Sequence, residues 1–227
     1  MRSTVPVSGG RSPSSFADNM TPALAKTASH EFLRRHSVEV NETLPLLESV
    51  EELSPQDARS VATRIVVLNH VIGIAFGADA NRLRASLEEF GLYEHASARE
   101  QNLLSRSEHT QQEKVNATWL TECVQSLTWC LGLVEFDPFQ RCDDDLASHF
   151  PRPFTDPRGF IAHATLRPLC EIYQQADLHY RLHWAARNAR LMGHLTRVDE
   201  GLISERRKAL DWVIGVEADW DEIPLDT

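Results

Sequence analysis

Ser54-Pro55-Gln56-Asp57-Ala58-Arg59-Ser60-Val61-Ala62-Thr63-Arg64-Ile65-Val66-Val67-Leu68-Asn69-His70-Val71-Ile72-Gly73-Ile74-Ala75-Phe76 is the stretch that decides the fold. Val61, Ile65, Leu68 and Ile72, joined by Ala62, Val66 and Ala75, recur at three- and four-residue steps. That period lays down an apolar band wide enough to bury most of a helix. Ser54 reads as the N-cap, Pro55 as the first helical residue and Asp57 as a carboxylate against the positive end of the helix dipole. A long buried helix to about Phe76 follows, and it is the natural centre of a helical domain. The uncharged run from Ile65 to Phe76 is too short to cross a bilayer.

Working outward toward the N-terminus, Val38 and Val40 alternate with polar residues and suggest a short extended piece before Leu44-Pro45, where proline disfavours helix in the preceding residue. Before it, Thr21 and Pro22 make a cap and first-turn pair for an amphipathic helix over Ala23–His36. Residues 1–20 are rich in Ser, Gly and Pro without an apolar core, which reads as a disordered tail rather than a secretory signal, with Met20 a candidate start.

Toward the C-terminus, Asp79 caps a helix carrying Leu83, Leu87 and Phe90 before Gly91, and Ser97–Leu104 forms a shorter one. Gln111–Leu131 has helical spacing through Val115, Trp119, Cys123, Leu127 and Leu131, closed by Gly132. Prolines crowd around Asp143-Asp144-Asp145 between Glu135 and Pro157, which reads as a long surface connection. Helices are expected over Gly159–Tyr173, Ala176–Met192 and Glu200–Ile214, with an acidic tail from Glu217 to Thr227 lying over the domain. The fold class is mainly α: an irregular multi-helix bundle of about seven helices with at most a short strand near the N-terminus, one domain over 21–227.

A net charge of -10 repels phosphate backbones, so nucleic acid is not expected as a partner, and no membrane span is expected. The Arg206-Arg207-Lys208 cluster is flanked by Glu205 and Asp211 and reads as compensated helix charge. Cys123, Cys130, Cys142 and Cys170 contain no Cys-x-x-Cys pair and read as free thiols of a cytoplasmic protein.

The densest polar and aromatic chemistry runs from Asp177 to Arg190. On a helix Asp177, Arg181, Trp184 and Asn188 share one face and Tyr180, Trp184, Arg187 and Leu191 an overlapping one. One reading is a pocket where Arg181 and Arg187 grip a carboxylate or phosphate while His183 titrates near neutrality. The other is structural: Asp177 pairs with Arg181 one turn on, Arg187 is buried against Glu205, and His183 meets a backbone carbonyl. His179 and His183 have a metal-ligand spacing, but Tyr180 stands where a zincin motif needs Glu, so no metal is called for. A second concentration comprises Glu205, Arg206, Asp211, Trp212, Trp220, Asp221 and Asp226. Its two tryptophans are suited to clamp the acidic tail onto the last helix, and its alternative is an acid–base pair of Glu205 and Asp221. Gly73 to Gly77 lacks the lysine of a phosphate loop, and no motif requires a cofactor.

Leu44-Pro45, Arg59-Ser60 with Ala62 and Arg64, Trp119, Glu122, Trp129 and Leu131-Gly132 are the first half of a recognisable pattern. Asp177, Tyr180-Arg181, His183-Trp184, Arg187, Glu205-Arg206-Arg207, Ala209-Leu210, Trp212, Trp220-Asp221 and Asp226-Thr227 complete it. On these residues the chain, from about Ala28 to Thr227, resembles the bacterial domain-of-unknown-function family numbered 4272. The resemblance implies a shared design for both polar concentrations and carries over no catalytic residue.

Two functional expectations stand. The first is a non-enzymatic protein acting through a protein partner or by assembling with itself. The alternative is an enzyme or binder of a small anionic ligand whose pocket draws on Asp177, Tyr180, Arg181, His183, Trp184, Arg187, Glu205, Arg206, Trp212, Trp220 and Asp221.

Overall fold

The computed structural model describes residues 20–227, so the tail expected over 1–20 lies, apart from Met20, outside the described residues. Eight α-helices occur among them: α1 (Pro22–Arg35), α2 (Ala58–Ala75), α3 (Ala80–Glu89), α4 (Ala98–Leu104), α5 (Gln111–Cys130), α6 (Arg158–Ala162), α7 (Leu169–Met192) and α8 (Glu200–Ile214). Local chemistry explains most of their ends. Thr21, Asp79 and Asp199 accept backbone N–H groups as N-caps, and Ser97 with Glu100 and Thr110 with Glu113 close reciprocal capping boxes.

Four helices form the body: α2 packs on α5, α5 on α8 and α8 on α7, while α1 lies against the outer side of α7. Val61, Ile65, Leu68, Cys123, Leu127, Ile172, Leu210 and Val213 fill the space between the four. The opposite face of α2 buries Val67, Val71 and Ile74 against Leu83, Leu87 and Leu104 of α3 and α4, and Leu33, Leu182 and Leu202 join α1, α7 and α8. Buried on nearly every side, α2 is the central element that its apolar band predicts. It is also the one described helix long and apolar enough to cross a membrane, with mean hydropathy 1.2, and 61% of that window is buried within the fold.

Three expectations need correction. Asp57, not Ser54, caps α2: its carboxylate accepts the Ser60 N–H at 2.7 Å, while Gln56 donates its own N–H to Val213 O at the end of α8. Residues 54–56 are thereby strapped to α8 instead of starting a helix. Within the expected limit of at most a short strand, none forms among the described residues: Val38–Val40 is extended chain without a partner strand, and Val38 is buried beside Leu33. The helix expected over Gly159–Tyr173 stops at Ala162, because Pro168 forces extended backbone before it and Arg167 donates its N–H to Cys130 O. No break then separates Tyr173 from Ala176, so α7 is a single helix of 24 residues. The connection from Glu135 to Pro157 runs over the surface but drops Leu146 and Phe150 into the main core.

Candidate functional site

Consecutive residues on a helix point about 100° apart, and on α8 this sends Glu205, Arg206 and Arg207 into three separate surroundings. Arg206 is fully buried: its Nε donates to Glu122 Oε2 at 3.0 Å, Nη1 to Asp137 O and Nη2 to Gln140 O. Glu122 in turn accepts the Cys142 N–H, and the Phe136 ring covers the guanidinium. Arg207 pairs with Asp211 at 3.0 Å, donates to the carbonyls of Pro224 and Asp226, meets His183 Nδ1 at 3.0 Å and lies over the Tyr180 ring. Glu205 accepts the Cys123 thiol at 3.1 Å. It does not meet Arg187, which is half-buried on α7.

The α7 residues follow the same rule. Asp177 and Arg181 are buried and form a two-pronged pair, Nε to Oδ2 at 2.8 Å and Nη2 to Oδ1 at 2.7 Å, and Arg181 also donates to Pro45 O. Trp184 packs with the apolar contacts of α1 and α8. His179 Nδ1 faces Gln175 O within its own helix, and burial lowers its pKa to about 3. Burial, aided by Arg207, lowers His183 to about 4, so neither imidazole titrates near neutrality. Burial raises the Asp211 carboxyl to about 7 despite Arg207. Among the described residues no group of three or more His, Cys, Asp and Glu side chains is placed to hold a metal.

Trp212 and Trp220 meet edge to face, centroids 5.6 Å apart, and Trp212 Nε1 donates to Ala218 O. Arg64 lies over both rings, pairs with buried Glu100 at 2.8 Å and donates to His95 O, while Lys208 covers Trp220. Asp221 accepts the Arg99 N–H at the start of α4. The tail is therefore clamped by the two tryptophans as their spacing suggested.

A common pattern joins these clusters. Arg64, Arg181, Arg206 and Arg207 each pair with one buried carboxylate and give at least one further donor to carbonyls outside the α-helices, at 95, 45, 137–140 and 224–226. Such a fork suits that task because it offers five donors in fixed directions. Burying both charges costs desolvation, so each pair adds little net stability; removing one partner strands the other and costs about 3–5 kcal/mol.

Several pockets open among the described residues, and three bear on the candidate residues. One of about 390 Å³ lies between α2, α5 and the 142–153 stretch, lined by Ile72, Val124, Leu146, Ala147, Phe150 and Pro153. A second, of about 350 Å³, lies at the start of α2 among Gln56, Asp57, Arg59, Ser60, Thr63, Arg64, His95 and Trp212. A third, of about 420 Å³, brings Glu205, Trp220 and Asp221 together with Lys208, Arg99 and Leu120. Sequence reading did not single out Leu146, Phe150 and Thr63. The four-residue spacing of Leu146 and Phe150 just after the three aspartates was the available signal for the first pocket.

The eight α-helices among the described residues, with buried arginines fastening their connections, define a helical bundle whose irregular segments are held in place. This chain belongs to the family described as Domain of unknown function (DUF4272), whose model matches residues 25–223. Comparison with curated proteins and with solved structures gives no match.

Proposed function

We propose that this protein acts in the bacterial cytoplasm by binding a protein partner, which seats an apolar side chain in the groove between α2, α5 and the 142–153 connection. One observation carries the reading: the groove's walls are apolar, and Phe76 stands at its lip 76% exposed. Exposed large apolar groups beside a concavity mark interaction sites. Asp143 and Asp144 line the same groove and are exposed, so the complementary segment carries Lys or Arg beside its apolar anchor. The net charge of -10 sets copies of the chain against one another, which favours a different, basic protein over self-assembly. The same charge argues against nucleic acid. Capture of an anion by Arg181, Arg206 or Arg207 would first have to break a buried pair, which weakens the alternative reading at those residues.

The test begins with a photo-crosslinking amino acid at Phe76 in living cells. The captured protein is purified, and its affinity is measured for the unmodified chain and for Ala147→Trp. Ala147 is exposed and lines the groove, so the indole fills it without entering the core. Binding at least about tenfold weaker, ~1.4 kcal/mol, at unchanged melting temperature is the expected result. Equal affinity in the variant overturns the proposal.

A further inference from the structure

We propose that the pocket at the N-terminal end of α2 binds a small oxyanion, a carboxylate or a phosphate. It lies at the opposite end of α2 from the partner groove and is independent of that reading. α2 is 18 residues long, so its first turn presents the positive end of a full helix dipole to the pocket. A helix start alone is no site, because any surface helix has one. Two further features make this one different.

The first is Thr63. It is nine-tenths buried, lines the pocket, and its hydroxyl makes no hydrogen bond to any described residue. A threonine inside a helix ordinarily returns its hydroxyl to a carbonyl one turn back, as Thr128 does to Val124 O at 2.7 Å. Thr63 keeps its hydroxyl for the pocket. The second is Arg64, whose Nη1 and Nη2 are committed to Glu100 and His95 O while the buried Nε–H has no acceptor. A buried donor left unmatched is unfavourable, and native folds match nearly all of them. A ligand oxygen in the pocket accepts from the Thr63 hydroxyl, with the Arg64 guanidinium charge beside it.

Around these two stand Arg59, His95, Ser60 and Gln56, all able to donate, and Trp212, which supplies an apolar wall. The carboxylates nearby are already engaged. Asp57 accepts the Ser60 N–H and faces the Arg59 charge, and Glu100 pairs with Arg64 and accepts the Ser97 N–H. A ligand's negative charge therefore meets the helix terminus and the guanidinium groups of Arg59 and Arg64, with Glu100 paired to Arg64 and the Asp57 carboxylate turned onto the Ser60 N–H. The volume, about 350 Å³, falls within the range of small-molecule sites. The anion chemistry considered for α7 is thus better housed here, at residues outside the Asp177–Arg190 run.

The experiment is titration calorimetry of the whole chain with inorganic phosphate and, separately, with acetate, at constant ionic strength held with chloride. Saturable binding of either anion is the expected result: preference for phosphate assigns a phosphoryl ligand, preference for acetate an organic acid. Thr63→Val keeps the shape and removes the hydroxyl, and Arg59→Gln removes an exposed charge. Each should weaken binding at least ~10-fold, at an unliganded melting temperature equal to that of the unmodified chain. No saturable heat with either anion, or undiminished affinity in both variants, overturns the site.

Discussion

Gly193 and Gly215 both follow a helix in the left-handed conformation, with φ of 70° and 86°. A methyl group at Gly193 would meet nothing within 4 Å, whereas one at Gly215 would fall onto the Ser54 backbone. Gly193→Ala should cost about 1 kcal/mol, the price of the backbone conformation alone. Gly215→Ala should cost at least ~3 kcal/mol, because it also pushes away the strap that includes the Gln56 bond to Val213. Urea denaturation separates the two, and equal costs would show that the strap does not depend on this approach. The contrast also marks what was legible at this scale. Asp79 and Gly132 were readable because cap chemistry acts within one turn. Ser54 was misread because a contact 161 residues away, with Gly215, decides its conformation.

Among the elements, α7 and α8 show the same division. Their polar concentrations were visible from spacing, and so was the clamp of the tail. Which carbonyls the guanidiniums reach was not, because Asp137, Gln140 and Pro45 are brought to them only by packing. The α6–α7 boundary failed for a related reason: apolar period ran on through Pro168, and the break is confirmed by a bond from Arg167 to Cys130. If the tail clamp stabilises the domain, Trp220→Ala should lower stability by about 3–5 kcal/mol. Arg187→Ala, at a half-buried position, should change it by less than ~1 kcal/mol. Thermal melts of both variants check the pair, and a mild Trp220→Ala would show the tail to be an ornament on a core that stands without it.

For the molecule as a whole, buried imidazoles set a pH dependence. His179 and His183 bind protons in the folded state only near pH 3 and pH 4, against about 6.5 in the unfolded chain. Between about 6.5 and 4 the unfolded chain holds the extra protons, so each imidazole makes stability fall as pH falls, by up to ~1.4 kcal/mol per pH unit. Asp211 works in the opposite sense between about pH 4 and 7, where burial keeps on it a proton that the unfolded chain has lost, and its ion pair with Arg207 is complete only above that range. His179→Phe should therefore flatten the stability profile by one proton over that window, measured by urea denaturation at several pH values. An unchanged slope would mean that His179 is not sheltered in solution. The overall helical architecture was legible because burial imposes a period on sequence; the pockets were not, since each is assembled from segments that only the fold makes neighbours.

The Trp212–Trp220 contact has an optical consequence. Two indoles 5.6 Å apart and inclined at 80° hold each other in a fixed chiral geometry, which gives near-ultraviolet circular dichroism a band tied to that contact. Departure of the tail should erase this band while the far-ultraviolet helix signal persists, so the chain contains its own label-free gauge of whether its last residues are seated.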